Sequence, residues 1–133
     1  MAREGGCLCG AVRYTLASEP AMSMACHCTH CQKQSGTSFS LIVAVPESDI
    51  EITGEVQTYE DQGESGNTLQ RQFCGKCGSP LFTLVPSAPN MVFIKAGTLD
   101  DTSGIAPAVH IWTKSKQEWL DLGDAPQVER NPG

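Results

Sequence analysis

The sequence predicts an all-β, or mainly β, protein with little helix, and three observations carry the prediction. Short runs rich in β-branched and aromatic residues are separated by turn residues, as in proteins built from many short strands. No apolar period of 3.6 residues persists for three helical turns. All seven cysteines fall in three tight clusters, so bound metal can hold together strands that would otherwise be held only weakly.

The N-terminal third of the chain contains two predicted strands and the one helical candidate. Residues 12–16 alternate apolar and polar side chains, which indicates a half-buried strand. Residues 39–45 are almost continuously apolar and stop at Pro46, which favours a central strand buried on both faces. Between them, residues 29–35 predict about two turns of helix, ended by Gly36.

The middle of the chain predicts a hairpin and a returning strand. Residues 50–54 and 56–59 have strand-like patterns and are expected to pair with each other through a turn near Gly54. Residues 61–67 are polar and glycine-containing, which indicates an exposed loop. Residues 68–73 then return as a strand that leads into the third cysteine cluster.

Three further strands are predicted after that cluster, although the chain ends irregularly. Residues 81–85 and 91–94 are apolar runs divided by two prolines. A turn follows at residues 97–101, and residues 109–112 alternate again as a strand. Residues 124–133 contain proline and glycine, so this tail is expected to be irregular.

Length and charge limit the classes of function. A chain of 133 residues suits one domain, residues 1–133. The formal net charge is −6, from 9 Lys+Arg against 15 Asp+Glu, which argues against general nucleic-acid binding. No apolar stretch approaches the roughly 20 residues needed to cross a bilayer. Residues 1–6 carry no apolar signal segment, so a cytoplasmic location and no membrane partner are predicted.

The cysteine spacing predicts metal binding rather than disulfides. The clusters have the forms Cys-x-Cys, Cys-x-Cys-x-x-Cys and Cys-x-x-Cys, in which neighbouring thiolates can converge on one tetrahedral ion. The odd total of seven leaves one thiol over in any all-disulfide arrangement. In a cytoplasmic protein, clustered cysteines are more often metal ligands or catalytic groups than oxidised pairs. Zinc is the expected ion.

The first and third clusters predict a closed structural site. Cys74-Gly-Lys-Cys77-Gly has the form of a zinc knuckle, which supplies two ligands only. Cys7 and Cys9 are its natural complement and would make a four-thiolate site that ties the N-terminus to the middle of the chain. The second cluster could instead share the knuckle, and that alternative stays open at this point.

The second cluster predicts a site of a different kind. Cys26, Cys28 and Cys31 offer three thiolates in six residues, and three protein ligands with one open position are usual for catalytic zinc. The alternative is a second inert site, closed by His27, His30 or a distant carboxylate. In extended backbone His27 points away from the face shared by Cys26 and Cys28, so His30 is the better rival ligand.

The cysteine motifs and their surroundings resemble one family closely. The sequence is similar to the glutathione-dependent formaldehyde-activating enzymes, whose domain is also called the centromere protein V domain. The matching segments are Gly-Cys-Leu-Cys-Gly at residues 6–10, Cys-His-Cys-Thr-His-Cys at 26–31 with Gly36, Phe-Cys-Gly-Lys-Cys-Gly-Ser-Pro-Leu-Phe at 73–82, Gly-Thr-Leu-Asp at 97–100, His-Ile-Trp at 110–112, and Trp119.

The resemblance implies a fold, two zinc ions and an activity. The fold would consist of several coiled antiparallel β-sheets around a structural zinc site. The zinc ligands would be Cys7, Cys9, Cys74 and Cys77 in that site, and Cys26, Cys28 and Cys31 in a catalytic one. The activity would be that of an S-(hydroxymethyl)glutathione synthase, filed among carbon-sulfur lyases, in which glutathione or a similar thiol adds to formaldehyde or another small aldehyde.

Residues that would contact the substrates are less sharply predicted. Thr29, Gln32, Lys33 and Ser35 follow the ligands and are candidate donors to a developing alkoxide. The cations Arg13, Lys33, Arg71, Lys95, Lys114 and Lys116 are available for the carboxylates of glutathione, but each is expected to be solvated. Trp112 and Trp119 are expected to pack in the core or on its flank, and His110 to be buried and hydrogen-bonded.

Three hypotheses for function follow. The leading one is a zinc-dependent enzyme that acts on a small thiol and a small aldehyde. The second is a zinc-stabilised binding module in which both metal sites are structural. The third, a chromatin-associated domain, is the weakest because the chain lacks a basic extension.

Overall fold

A computed structural model describes residues 2–63 and 66–130. Within these ranges the chain forms two β-sheets and one short α-helix, which confirms the predicted mainly β fold. The helix, α1, spans Thr29–Ser35. The strands are β1 (Arg3–Gly6), β2 (Arg13–Leu16), β3 (Met22–Cys26), β4 (Ser40–Pro46), β5 (Ile50–Thr53), β6 (Val56–Gln62), β7 (Thr68–Cys74), β8 (Pro80–Leu84), β9 (Met91–Lys95) and β10 (Val109–Ile111).

The two sheets differ in size and connectivity. The smaller has three strands in the order β1-β2-β5, and the larger has seven in the order β10-β3-β4-β9-β8-β7-β6. Strand β4, predicted as central, lies between β3 and β9. The expectation of antiparallel sheets holds except at one place, because β10 pairs with β3 in parallel. Strand β9 runs in the same direction as β3, because both are antiparallel to β4. The 13 residues from 96 to 108 form the crossover that carries the chain from β9 to β10 on the far side of β3.

The predicted hairpin around Gly54 is wrong. Strand β5 pairs with β2 in the small sheet, whereas β6 pairs with β7 in the large one. The chain changes sheet at Gly54, whose φ of +97° lies in the left-handed region. A Cβ at this position would stand 2.1 Å from the carbonyl oxygen of Ala11. The glycine therefore permits a close crossing of two segments, and the local pattern could not show where each strand finds its partner.

Helix α1 has the predicted bounds and the predicted end. Its N-cap is Cys28, whose sulfur accepts a hydrogen bond from the backbone N–H of Cys31. Gly36 ends the helix at a φ of 72°, and its N–H donates to the carbonyl of Gln32. Since Cys28 and Cys31 lie at the start of the helix and Cys26 ends β3, the helix cap gathers the second cysteine cluster.

Two apolar clusters support the two groups of cysteines. The main core contains Tyr14 from the small sheet and Phe82 from the large one, with ring centroids 5.4 Å apart in an edge-to-face contact. Cys7 and Cys74 belong to this core. A second cluster contains Met24, Ile111 and Trp112 together with Cys26, Cys28 and Cys31. Each group of cysteines is therefore held by buried apolar packing as well as by its turns.

The two tryptophans have different environments. Trp112 is buried in the second cluster, as predicted. Trp119 is 72% exposed, so the expectation that it packs in the core or on its flank is wrong. None of the helices in the described ranges combines the length and the apolar character needed to span a bilayer.

Candidate metal centres and the adjoining cleft

Four cysteines from distant parts of the chain converge at one end of the main core. Cys7 and Cys9 lie in the turn between β1 and β2, Cys74 ends β7, and Cys77 lies in the following turn. Their four sulfur atoms all lie within 4.8 Å of one another. The structure therefore groups the knuckle cysteines with Cys7 and Cys9, and not with the second cluster.

The sulfur spacing in this four-cysteine centre fits a tetrahedral metal ion. The Sγ atoms of Cys7 and Cys9 are 3.6 Å apart, and those of Cys9 and Cys74 are 3.7 Å apart. A tetrahedron with zinc–sulfur bonds of about 2.3 Å has sulfur–sulfur edges of about 3.8 Å. The four residues could therefore hold zinc with little rearrangement.

Local hydrogen bonds reach three of the four sulfurs in this centre. The backbone N–H groups of Val12 and Lys76 donate to the sulfurs of Cys7 and Cys74, each at 3.3 Å. Hydrogen bonds from Ser79, through its hydroxyl and its backbone, lower the pKa of Cys77 to about 5. Thiolates are the form that binds metal, so the turn that follows β7 prepares Cys77 as a ligand.

The second centre consists of Cys26, Cys28 and Cys31, all buried, with sulfurs within 4.8 Å of one another. Hydrogen bonds from Cys26 and Cys28 lower the pKa of Cys31, whereas the hydrogen bonds with Cys28 and Cys31 and burial raise that of Cys26. Three buried sulfurs at this separation cannot all be anionic without a nearby positive charge. A divalent ion among them would provide it, so the donor set fits a metal.

The histidines of the Cys-His-Cys-Thr-His-Cys motif point to other partners. His27 is fully buried, and its Nε2 lies 3.0 Å from Nδ1 of His110. The prediction that His110 is buried and hydrogen-bonded is confirmed. His30 places its Nδ1 3.0 Å from both carboxylate oxygens of Asp61. In the part of the chain that the structure describes, neither histidine nor any carboxylate joins the three-cysteine centre as a fourth ligand.

Two buried cations flank the three-cysteine centre. Lys95 is 8% exposed and donates hydrogen bonds to the hydroxyls of Ser40 at 2.6 Å and Ser35 at 3.1 Å. Burial lowers the pKa of Lys95 to about 8, although the nearby Cys31 thiolate favours its charged form. Arg71 is 3% exposed, donates from Nε to Asp61 at 2.8 Å, and interacts electrostatically with Cys31. The expectation that both cations are solvated is wrong.

The strand pattern contained a signal for these cations that the sequence analysis missed. Arg71 alternates with Leu69 and Phe73, so it lies on the same face of β7 as two apolar residues. Lys95 directly follows an apolar run and pairs with Ile42 in the middle of the large sheet. A charged side chain at such a position is buried only where it has a partner, and this marks it as a candidate site residue.

The four residues that were predicted as donors next to the ligands differ in what they contact. The side-chain amide of Gln32 donates to the carbonyls of His27 and Ser115, so this residue anchors the helix. Ser35 accepts from Lys95, which links it to the three-cysteine centre. Thr29 and Lys33 line a surface cleft.

This α1 cleft runs along the helix and measures about 470 Å³. Arg71 lines it and interacts with Cys31, which links the cleft to the three-cysteine centre. Pockets of about 300–1,000 Å³ are usual for small-molecule ligands. Asp61 was expected in a loop, but it belongs to β6 and faces the cleft. The cleft is lined by Thr29, His30, Lys33 and Gln34 of α1, Tyr59 and Asp61 of β6, and Arg71 of β7. A second groove of about 560 Å³ lies beside Gln32, Lys33 and Trp119.

The fold and the two cysteine centres define a small, mainly β protein built around two candidate metal sites. A sequence model of the glutathione-dependent formaldehyde-activating enzymes matches residues 2–115. The chain therefore belongs to this family, as the cysteine motifs predicted.

Individual relatives support the same assignment. A Halomonas elongata protein named for this family is 31% identical over 128 residues, which cover 92% of this chain and 82% of the relative. A Schizosaccharomyces pombe protein named as an uncharacterized lyase is 25% identical, and the match covers 91% of this chain and 85% of the relative. A Sordaria macrospora protein named for the family is 33% identical over 73 residues, which cover 55% of this chain and only 30% of the relative.

A solved structure supports the fold alone. The crystal structure of a Rhodobacter sphaeroides protein superposes with a TM-score of 0.60 at 21% identity, covering 93% of this chain and 98% of the other. At this level of identity the similarity concerns the arrangement of the strands and carries no information about substrate.

We expect two zinc ions per chain, because the two cysteine centres are separate and each fits one ion. Elemental analysis of protein purified without added metal measures the ratio directly. A ratio that stays at one zinc per chain after zinc supplementation would show that the second centre does not hold the metal.

Proposed function

We propose that the protein is a zinc-dependent enzyme that adds a thiol, glutathione or a similar compound, to formaldehyde or another small aldehyde. In this proposal Cys7, Cys9, Cys74 and Cys77 hold a structural zinc, and Cys26, Cys28 and Cys31 hold a catalytic one. The reverse reaction breaks the carbon–sulfur bond, so an enzyme of this kind is a carbon-sulfur lyase. The observation that carries the proposal is a buried centre of three thiols, with no fourth ligand among the described residues, next to an open cleft.

The addition requires a thiolate as nucleophile and stabilisation of the negative charge that develops on the aldehyde oxygen. A zinc ion held by the three cysteines supplies positive charge that favours the thiolate form of a substrate thiol. During addition the sulfur–carbon bond forms and the carbonyl π bond breaks. The proton of the thiol ends on the new hydroxyl oxygen, so the reaction needs no oxidant or reductant.

Two cationic residues of the protein offset the negative charge of the three cysteine thiolates. Three cysteine thiolates around a divalent ion leave a net negative charge, which weakens the attraction for a further anion. Lys95 and Arg71 place two buried positive charges beside these sulfurs. Fixed charges in a buried site stabilise an anion without reorganisation of solvent. Both residues are therefore suited to stabilise the substrate sulfur and the developing alkoxide.

Exchange between free formaldehyde and its hydroxymethyl adduct tests the proposed activity. NMR at equilibrium measures the exchange rate, and the spontaneous rate is subtracted. We expect the protein to accelerate the exchange with glutathione or a related thiol, and the thiol to protect Cys26, Cys28 and Cys31 from alkylation. If a protein that holds two zinc ions shows neither effect with several small thiols, the binding-module hypothesis replaces the enzyme.

A further inference from the structure

His27 lies between two cysteines of the three-cysteine centre, and other parts of the chain hold it at three points. Its backbone N–H donates to the carbonyl of Ile111 at 3.0 Å, and its Nε2 lies 3.0 Å from Nδ1 of His110. Its carbonyl accepts a hydrogen bond of 2.8 Å from the side-chain amide of Gln32. The peptide plane that contains this carbonyl also contains the Cα atom of Cys28. A hydrogen bond that fixes the carbonyl therefore fixes the direction from which Cys28 enters the centre.

The side chain of Gln32 is half-buried, and both of its N–H groups have partners. Its Nε2 donates to the carbonyls of His27 at 2.8 Å and Ser115 at 3.0 Å. Its Oε1 accepts from Nε2 of Gln117 at 3.0 Å. Backbone carbonyl oxygens cannot donate, so the nitrogen of Gln32, and not its oxygen, must face them. The orientation of this amide is therefore fixed by its neighbours.

The hydrogen bonds continue outward from Gln117 to Trp119. The indole Nε1 of Trp119 donates to Oε1 of Gln117 at 2.8 Å. An indole nitrogen only donates and a backbone carbonyl only accepts, so every bond between Trp119 and His27 points the same way. Hydrogen bonds aligned in this manner strengthen one another. This amide relay, made of Gln32, Gln117 and Trp119, joins the groove beside Trp119 to the cysteines of the second centre.

The backbone of Gln32 gives the relay a rigid base. Its N–H donates to the carbonyl of Cys28 at 3.0 Å, and its own carbonyl accepts from the N–H groups of Gly36 and Thr37. Gln32 is thus fixed within α1, the helix that Cys28 caps. A side chain that a helix carries and that outer hydrogen bonds lock can position a site precisely.

We propose that Gln32 is a positioning residue of the three-cysteine centre. It holds the peptide between His27 and Cys28 in the orientation in which the three sulfurs can share one metal ion. Gln117 and Trp119 support its amide from the outer side. The inference rests on the proposed function in one respect, because it takes this centre to hold a metal. Removing a group that orients metal ligands typically weakens metal binding by about 10- to 100-fold.

NMR of bound cadmium tests the inference with the full-length protein, in which cadmium replaces zinc. The chemical shift of the ion depends on the number and arrangement of its sulfur ligands, so the two centres give separate signals. In Gln32→Met, which removes the hydrogen bonds and keeps an unbranched side chain, we expect the three-cysteine signal to move or broaden. The four-cysteine signal should stay unchanged. Chelator competition should show zinc binding about 10-fold weaker at the three-cysteine centre alone.

Two further variants connect the effect to the relay. Gln34→Met is the matched control, because it makes the same change two residues further along α1, where the side-chain oxygen has no partner among the described residues. It should alter neither the cadmium signals nor the zinc affinities. Gln117→Leu removes the outer part of the relay and leaves the two bonds from Gln32 to backbone carbonyls. It should change the three-cysteine signal in the same way but less.

The outcomes separate this inference from the proposed function. A Gln32→Met protein with a lower melting temperature but unchanged signals and zinc affinities would show that Gln32 supports the fold alone, and the inference would be overturned. Equal changes in Gln34→Met would also overturn it. In both cases the enzyme stands if the unaltered protein accelerates formaldehyde exchange.

If the three-cysteine centre of the unaltered protein binds no metal, the inference and the catalytic zinc of the proposed function both fall. If Gln32→Met does not fold, Gln117→Leu decides the question, and an unchanged three-cysteine signal in that variant overturns the inference.

Discussion

Cys9→Ser is expected to lower the melting temperature by about 10 °C or more, although Cys9 is an exposed residue. Substitutions at exposed positions usually change the free energy of unfolding by no more than about 0.5 kcal/mol. Structural zinc contributes about 10–16 kcal/mol in small zinc domains, which is comparable with the entire stability of a protein domain. The loss of one ligand should therefore reduce a large contribution to folding.

Cys77→Ser should behave in the same way, because Cys77 is also only partly buried. Cys74→Ser should be at least as damaging, since Cys74 lies in the main core and its replacement also buries a hydroxyl. Thermal melts with zinc analysis measure all three variants. Ser79→Ala is the control, because it removes a hydrogen bond to the Cys77 sulfur but leaves the four ligands. A Cys9→Ser protein that melts like the unaltered protein would contradict a structural role for this centre.

Cys28→Ser is expected to abolish the acceleration of formaldehyde exchange while the protein keeps its fold. Cys28 is the N-cap of α1, and its sulfur accepts the hydrogen bond from the N–H of Cys31. Serine is among the preferred N-cap residues, so the new hydroxyl can take over this hydrogen bond. The substitution thus removes a thiolate from the centre and preserves the start of the helix.

The comparison of Cys28→Ser with Cys28→Ala separates the two roles of this residue. Both variants should lose the acceleration and the second zinc, but the alanine variant should also lose about 1 kcal/mol of stability with the helix cap. Exchange rates, zinc content and melting temperatures are measured on the same preparations. A melting temperature of Cys28→Ser that falls as far as that of Cys9→Ser would mean that both centres are structural.

Local chemistry explains which parts of the fold the sequence could predict. The bounds of α1 follow from a capping residue at Cys28 and a left-handed glycine at Gly36, and both signals lie within a few residues of the helix. Ligand chemistry predicts two metal centres, because a knuckle provides two ligands and needs two more, but only the structure shows that Cys7 and Cys9 complete it. These features depend on neighbours along the chain or on a fixed coordination number.

The features that could not be predicted depend on distant partners. Strand β5 has a suitable pattern for pairing with β6, but it finds β2 because Gly54 lets the chain cross close to Ala11. The position of Lys95 after an apolar run marks it as a candidate, but its partners Ser40 and Ser35 reach it only through the packing of β4 and α1. The role of Asp61 likewise depends on the approach of Arg71 from the neighbouring strand. Such contacts are set by tertiary structure.

The outer side of β10 bears on whether the large sheet can add a strand from another molecule at this edge. A sheet edge with free backbone groups is a template for strands of other molecules. At β10 this template is occupied, because the N–H of His110 donates to Pro126 and the N–H of Val128 donates to His110. The irregular segment around Val128 therefore protects the end of the sheet that carries the three-cysteine centre. At the opposite end, β6 presents mostly exposed residues, including Glu60, so charge opposes the addition of another chain there.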